Sequence, residues 1–133
     1  MSFSEIKGQD AALTLLRAVL DKRPSHCYLF CGPEGVGKKK AAVAAAQYLN
    51  CPHAADAHDA CDRCPSCLKI AHNEHPDVLL IEPDGASVKL EQVQNLTNLT
   101  ALKSFEGGWQ VIIINEAHLL TPPAANSLLK ILE

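Results

Sequence analysis

No stretch of the 133 residues is apolar for the roughly 18 to 20 positions that a bilayer-spanning helix requires. The apolar runs are short, as at Val111 to Ile114. Residues Met1 to Gly8 have neither the basic start nor the apolar stretch of a secretory signal, so a reducing, cytoplasmic setting is expected. Nor is there a large excess of one charge. Twelve Lys and Arg face 15 Asp and Glu, a formal net charge of −3, and 47% of the residues are hydrophobic. Such a chain is neither a disordered polymer nor a collagen-like repeat, and its length suits one soluble globular domain. The basic surplus is local: residues 1–50 carry seven Lys and Arg against four acids, leaving the remainder at −6. That is too narrow a basic face to hold DNA unaided. Six cysteines in a reducing compartment point to a metal or to free thiols rather than to disulfides.

Periodicity supplies the elements. From Asp10 to Lys22, Ala11, Ala12, Leu15, Leu16, Val19 and Leu20 recur at helical spacing as one buried face, and Pro24 stops the helix. Cys27 to Cys31 reads as a buried strand entering a turn at Gly32-Pro33, with both cysteines as small core residues. A second helix, rich in alanine, is predicted from Lys38 to about Asn50. Val78 to Pro83 reads as another strand, 89–105 as a helix with leucines and Val93 at threefold spacing, and Val111 to Ile114 as the clearest strand. A last helix opens with Thr121 as N-cap and Pro122 at its first position, with Ala124, Ala125, Leu128, Leu129 and Leu132 on one face. Strands alternating with helices predict an α/β fold with a parallel sheet.

Gly32-Pro-Glu-Gly35-Val36-Gly37-Lys38-Lys39 fits the phosphate-loop pattern G-x-x-x-x-G-K and misses only the final Ser or Thr. The glycines let successive N–H groups and a helix N-terminus face a phosphate, and Lys38 would reach its terminal oxygens. A plain glycine turn beside solvated lysines is the alternative, and the strand-turn-helix context argues against it. The missing hydroxyl is the one that holds magnesium. Lys39 offers an ammonium, which has no lone pair and repels a cation. After Ile114, where phosphate-loop ATPases carry two acids, the chain has Asn115-Glu116. Asn115 is a neutral, weak magnesium ligand, while Glu116 survives as a vestigial base. Both substitutions strike the same metal, so ATP binding without efficient hydrolysis is expected.

Between these elements, Cys51-x9-Cys61-x2-Cys64-x2-Cys67 gathers four thiols in a segment too poor in large apolar residues to form its own core. Four-thiolate zinc matches the count and would order such a segment. The C-x2-C-x2-C spacing also occurs at iron–sulfur clusters. No open coordination position is evident, so the role is structural. His53, His58, His72 and His75 are expected at the surface.

The phosphate loop following Tyr28-Leu-Phe, the four-cysteine insert, His75-Pro-Asp-Val, Val88-Lys-Leu-Glu-Gln and Ala124-Ala-Asn-Ser-Leu-Leu-Lys-Ile-Leu-Glu133 together resemble the bacterial DNA polymerase III clamp-loader subunits, the delta-prime family in particular. The related gamma/tau family would keep the magnesium hydroxyl and the acidic pair. The resemblance covers nearly the whole chain. It implies that residues 1–133 are the N-terminal part of an incomplete AAA+ nucleotide-binding domain, with residues 51–67 as an inserted zinc module. It also implies that Gln9 lies near the adenine. The implied function is a non-motor stator in the complex that loads the sliding clamp onto primed DNA, within a nucleotidyltransferase holoenzyme. Its implied partners are the delta and gamma/tau subunits, and the clamp and DNA through the complex, with no membrane. The arginine finger, sensors, lid and collar would lie beyond Glu133. In the implied sheet, a later strand separates Cys27 to Cys31 from Val111 to Ile114. Without it, the chain is expected to be a fragment, unstable alone or rearranged so that those two segments pair directly.

Overall fold

The computed structural model of the chain describes residues 2–22, 24, 27–100 and 108–132. These fall into two compact units, Met1–His75 and Pro76–Glu133. The first is helical. A 3-10 turn at Phe3–Glu5 leads to α1 (Asp10–Lys22), α2 (Lys38–Asn50), a single turn α3 (Ala54–Ala57) and α4 (Pro65–Ala71). Both long helices have the bounds that periodicity predicts. The face that α1 buries differs from the expected one: Leu13 and Leu20 are buried, Leu16 and Val19 half-buried, and Leu15 is 69% exposed. Leu13, Leu16 and Leu20 share one stripe. It packs into a core with Phe3, Ile6, Ala44, Tyr48 and, from the cysteine segment, Cys51, Ala54, Ala60 and Cys67. The cysteine segment has no core of its own and borrows that of the first two helices.

Cys27 to Cys31 does not form the expected buried strand. It belongs to no sheet, both cysteines are exposed, and Leu29 is 77% exposed. Strand propensity is realised only where a neighbouring strand offers a ladder, and among the described residues this segment has none. Val111 to Ile114 pairs instead with Val78 to Ile81.

The second unit holds β1 (Val78–Ile81), α5 (Leu90–Thr100), β2 (Val111–Ile114), a 3-10 turn (Ala117–Leu119) and α6 (Pro122–Leu132). Strands β1 and β2 pair in parallel, Val78 opposite Val111 and Ile81 opposite Ile114. Alternation along each strand puts Leu79, Ile81, Ile112 and Ile114 on one face. That face joins a core with Val88, Val93 and Leu96 of the α5 region and with Ala124 and Leu128 of α6. The ends of these helices are fixed by side chains. The Lys89 N–H donates to Gln92 Oε1 at 2.8 Å, half of a capping box, and the Ala124 N–H donates to Thr121 Oγ1 at 3.3 Å. Of the helix predicted over 89–105, positions 101–105 lie outside the described residues. No helix among the described residues is long and apolar enough to cross a membrane.

Candidate functional site

The loop entering α2 is shaped by glycine. Gly35 and Gly37 have φ of +80° and +98°, where an L side chain is strained. A Cβ on Gly37 would also stand 3.4 Å from the Ile6 side chain. Gly37 is the N-cap and offers no side-chain cap, and the first turn of α2 carries Lys38, Lys39 and Lys40 with no acid. Three cations at the positive end of a helix leave a site that an anion would relieve. Lys38 is folded back, its Nζ donating to the Gly32 carbonyl at 2.6 Å. Beside the loop lies a cavity of about 370 Å³. Of the expected binding residues, Gln9, Val36, Gly37 and Lys38 line it together with Ile6 and Ala41. Gly32, Gly35 and Lys39 are exposed on the loop and the first turn. Leu29, Phe30 and Cys31 also line the cavity, a role that reading them as a buried strand misses.

The four cysteines converge. Cys51 caps the C-terminus of α2, its N–H donating to the Gln47 carbonyl at 2.8 Å. Cys64 is the N-cap of α4, its Sγ accepting the Cys67 N–H at 3.4 Å, with Pro65 at the first helical position. Cys61 Sγ accepts the N–H groups of Arg63 and Cys64 at 3.4 and 3.2 Å. All four Sγ atoms lie within 4.8 Å of one another. Around an ion with metal–sulfur bonds of about 2.3 Å, tetrahedral sulfurs stand about 3.8 Å apart, so the donor set fits a tetrahedral metal ion after a small contraction. The backbone donors from Arg63 and Cys64 pull the Cys61 thiol down to about 6, already favouring the thiolate. Burial pushes Cys51 and Cys67 the other way, and only a cation would reverse that. Gln47, fully buried, ties the two helices by donating from Nε2 to the Cys67 carbonyl at 3.0 Å.

Asn115 and Glu116 stand at the end of β2 in the second unit. The Asn115 N–H continues the ladder, donating to the Ile81 carbonyl at 2.9 Å. Glu116 is exposed with φ +55° and opens the following 3-10 turn. A family model described as "DNA polymerase III, delta subunit" matches residues 8–133. The chain belongs to that family. The chain is similar to the DNA polymerase III subunit delta' of Bacillus subtilis, 38% identical over 126 residues, which span 94% of this chain and 38% of the relative. It is 36% identical to subunit delta' of Pseudomonas aeruginosa over 111 residues, 82% of this chain and 34% of the relative. Similarity extends to subunit gamma/tau of Mycobacterium tuberculosis H37Rv, 35% identical over 134 residues, 99% of this chain and 23% of the relative. The chain therefore spans less than two fifths of the length of each.

In this member of the DNA polymerase III delta family, two motifs turn out to be packing devices. Gln92 in Val88-Lys-Leu-Glu-Gln is the cap of α5, its Nε2 also donating to the Glu82 carbonyl at 2.7 Å. His75, expected at the surface, is 4% exposed, with Nε2 at 3.3 Å from Ser66 Oγ. Its neighbours on α4 account for the difference, a tertiary contact that local polarity does not announce. His53, His58 and His72 are exposed as expected. Sequence reasoning missed Asp59 and Asp62. Asp59 accepts the N–H groups of Phe3 and Ser4 at 2.9 and 3.0 Å, and Asp62 accepts that of Ser2 at 2.9 Å. Their only signal was position, among the cysteines, and it pointed no further than polarity.

Proposed function

We propose that the full-length protein is a non-motor stator of the delta-prime kind in the clamp-loader complex that places the sliding clamp on primed DNA. In this reading residues 1–133 are the N-terminal part of an AAA+ nucleotide-binding domain. Gln9, Gly32, Gly35, Val36, Gly37, Lys38 and Lys39 form its phosphate and base cradle, and Cys51, Cys61, Cys64 and Cys67 hold a structural zinc. The delta and gamma/tau subunits are its partners, and it meets the clamp and DNA through the assembly. The observation that carries the reading is a pair of substitutions in a chain of this family: Lys39 in place of the hydroxyl, and Asn115 in place of the acid, that hold magnesium in phosphate-loop ATPases. A cradle that keeps its glycines and Lys38 while losing both metal grips suits a subunit that senses or stores nucleotide without turning it over.

An active gamma/tau-type ATPase is the second reading. The likeness to gamma/tau over nearly the whole chain and the retained Glu116 favour it. The two separate on phosphate release by the full-length protein beside its Lys39→Thr, Asn115→Asp double variant. The stator reading expects no magnesium-dependent turnover in the parent and its appearance in the variant. Turnover in the parent would make the chain a motor.

A further inference from the structure

We infer that the four-cysteine centre, once it holds its metal, clamps residues 2–6 in place and through them sets one wall of the cavity beside the phosphate loop. The inference rests on the metal-centre reading above. Three successive amides of this segment are held by two carboxylates that flank Cys61: Ser2 by Asp62, and Phe3 and Ser4 by the two oxygens of Asp59. Phe3 is 1% exposed, its ring centroid 5.7 Å from that of Tyr48 and 5.1 Å below the Arg17 guanidinium. Arg17 in turn lies 3.8 Å from Asp59. Three residues on, the Ile6 N–H closes the turn on the Phe3 carbonyl at 3.1 Å, and the Ile6 side chain stands against Gly37 and lines the cavity. A second tie runs through Asp21 at the end of α1, which accepts from the Tyr48 hydroxyl and lies 3.7 Å from His58 Nδ1.

Asp59 and Asp62 are presented by a stretch with little regular structure, in which His58 and Asp62 both have left-handed backbones. Such a stretch keeps one shape only when something over-determines it, and a four-thiolate ion between Cys51 and Cys61 does so. Asp59 and Asp62 are thus positioning residues, placing the wall rather than touching a ligand.

Amide hydrogen exchange on the full-length protein, with metal content measured on the same samples, tests this. Chelation should speed exchange at residues 3–6 at least tenfold. Asp59→Asn, which leaves one acceptor oxygen where Asp59 uses two, should speed it similarly while zinc stays bound at one per chain. Protection at residues 3–6 that survives both chelation and Asp59→Asn overturns the clamp and leaves the metal centre standing. A protein that binds no metal overturns the metal-centre reading and the clamp with it.

Discussion

At the residue scale, the sharpest constraints sit at Gly37 and at Tyr48. Gly37→Ala forces a Cβ into a left-handed backbone, so it should cost about 1–2 kcal/mol, read from denaturant midpoints. Gly35→Ala meets the same backbone strain with open space around its Cβ and should cost a similar amount. Burial, with the Asp21 carboxylate that its hydroxyl donates to, pushes the Tyr48 phenol up to about 12. The unfolded chain would ionise that phenol near its ordinary value of about 10. The stability it contributes is therefore complete below about pH 10 and is lost as pH climbs toward 12. Absorbance titration should show one tyrosine ionising late. Asp21→Asn should bring that ionisation down toward the ordinary value, and an unchanged curve would remove Asp21 from the explanation.

At the scale of elements, what was legible in the sequence follows from how local each signal is. α1 and α2 have their predicted bounds because helix periodicity and Pro24 are read over a dozen neighbouring residues. β2 was legible because three isoleucines and a valine have few other uses. The Thr121 cap of α6 was equally plain, since capping is settled within four residues. Cys27 to Cys31 failed for the opposite reason: a strand is a property of a pair, and propensity cannot supply the partner. The convergence of the four sulfurs was legible from spacing. The anchoring of residues 2–4 to Asp59 and Asp62 was not, because it joins positions more than fifty residues apart. The cysteine element gives its own prediction. Cys67→Ala should abolish metal binding and lower the melting temperature by several degrees or more, because Cys67 is a ligand on the proposed reading and is fully buried core. Cys27→Ser and Cys31→Ser, both at exposed positions, should leave metal content unchanged. Equal loss from either of these would mean that the metal is held elsewhere.

For the whole molecule, the cradle and the cysteine centre share α2, whose N-terminus is Gly37 and whose C-cap is Cys51. One helix of 13 residues thus joins the glycine loop to the cysteine cluster, and on the proposed reading that link suits a stator. The chemistry that a motor needs would have to come through magnesium, and in the sequence Lys39 and Asn115 occupy the motif positions at which phosphate-loop ATPases carry its ligands. An ammonium beside the phosphates can supply positive charge without a metal, so nucleotide should bind with little regard for magnesium. The most direct measurement is calorimetric titration of the full-length protein with ATP, once in magnesium and once in EDTA, with phosphate release followed in parallel. We expect the two affinities to agree within a factor of about three, a difference of about 0.65 kcal/mol, with no phosphate released. Binding that tightens tenfold or more with magnesium, accompanied by steady hydrolysis, would contradict the loss of the metal grip.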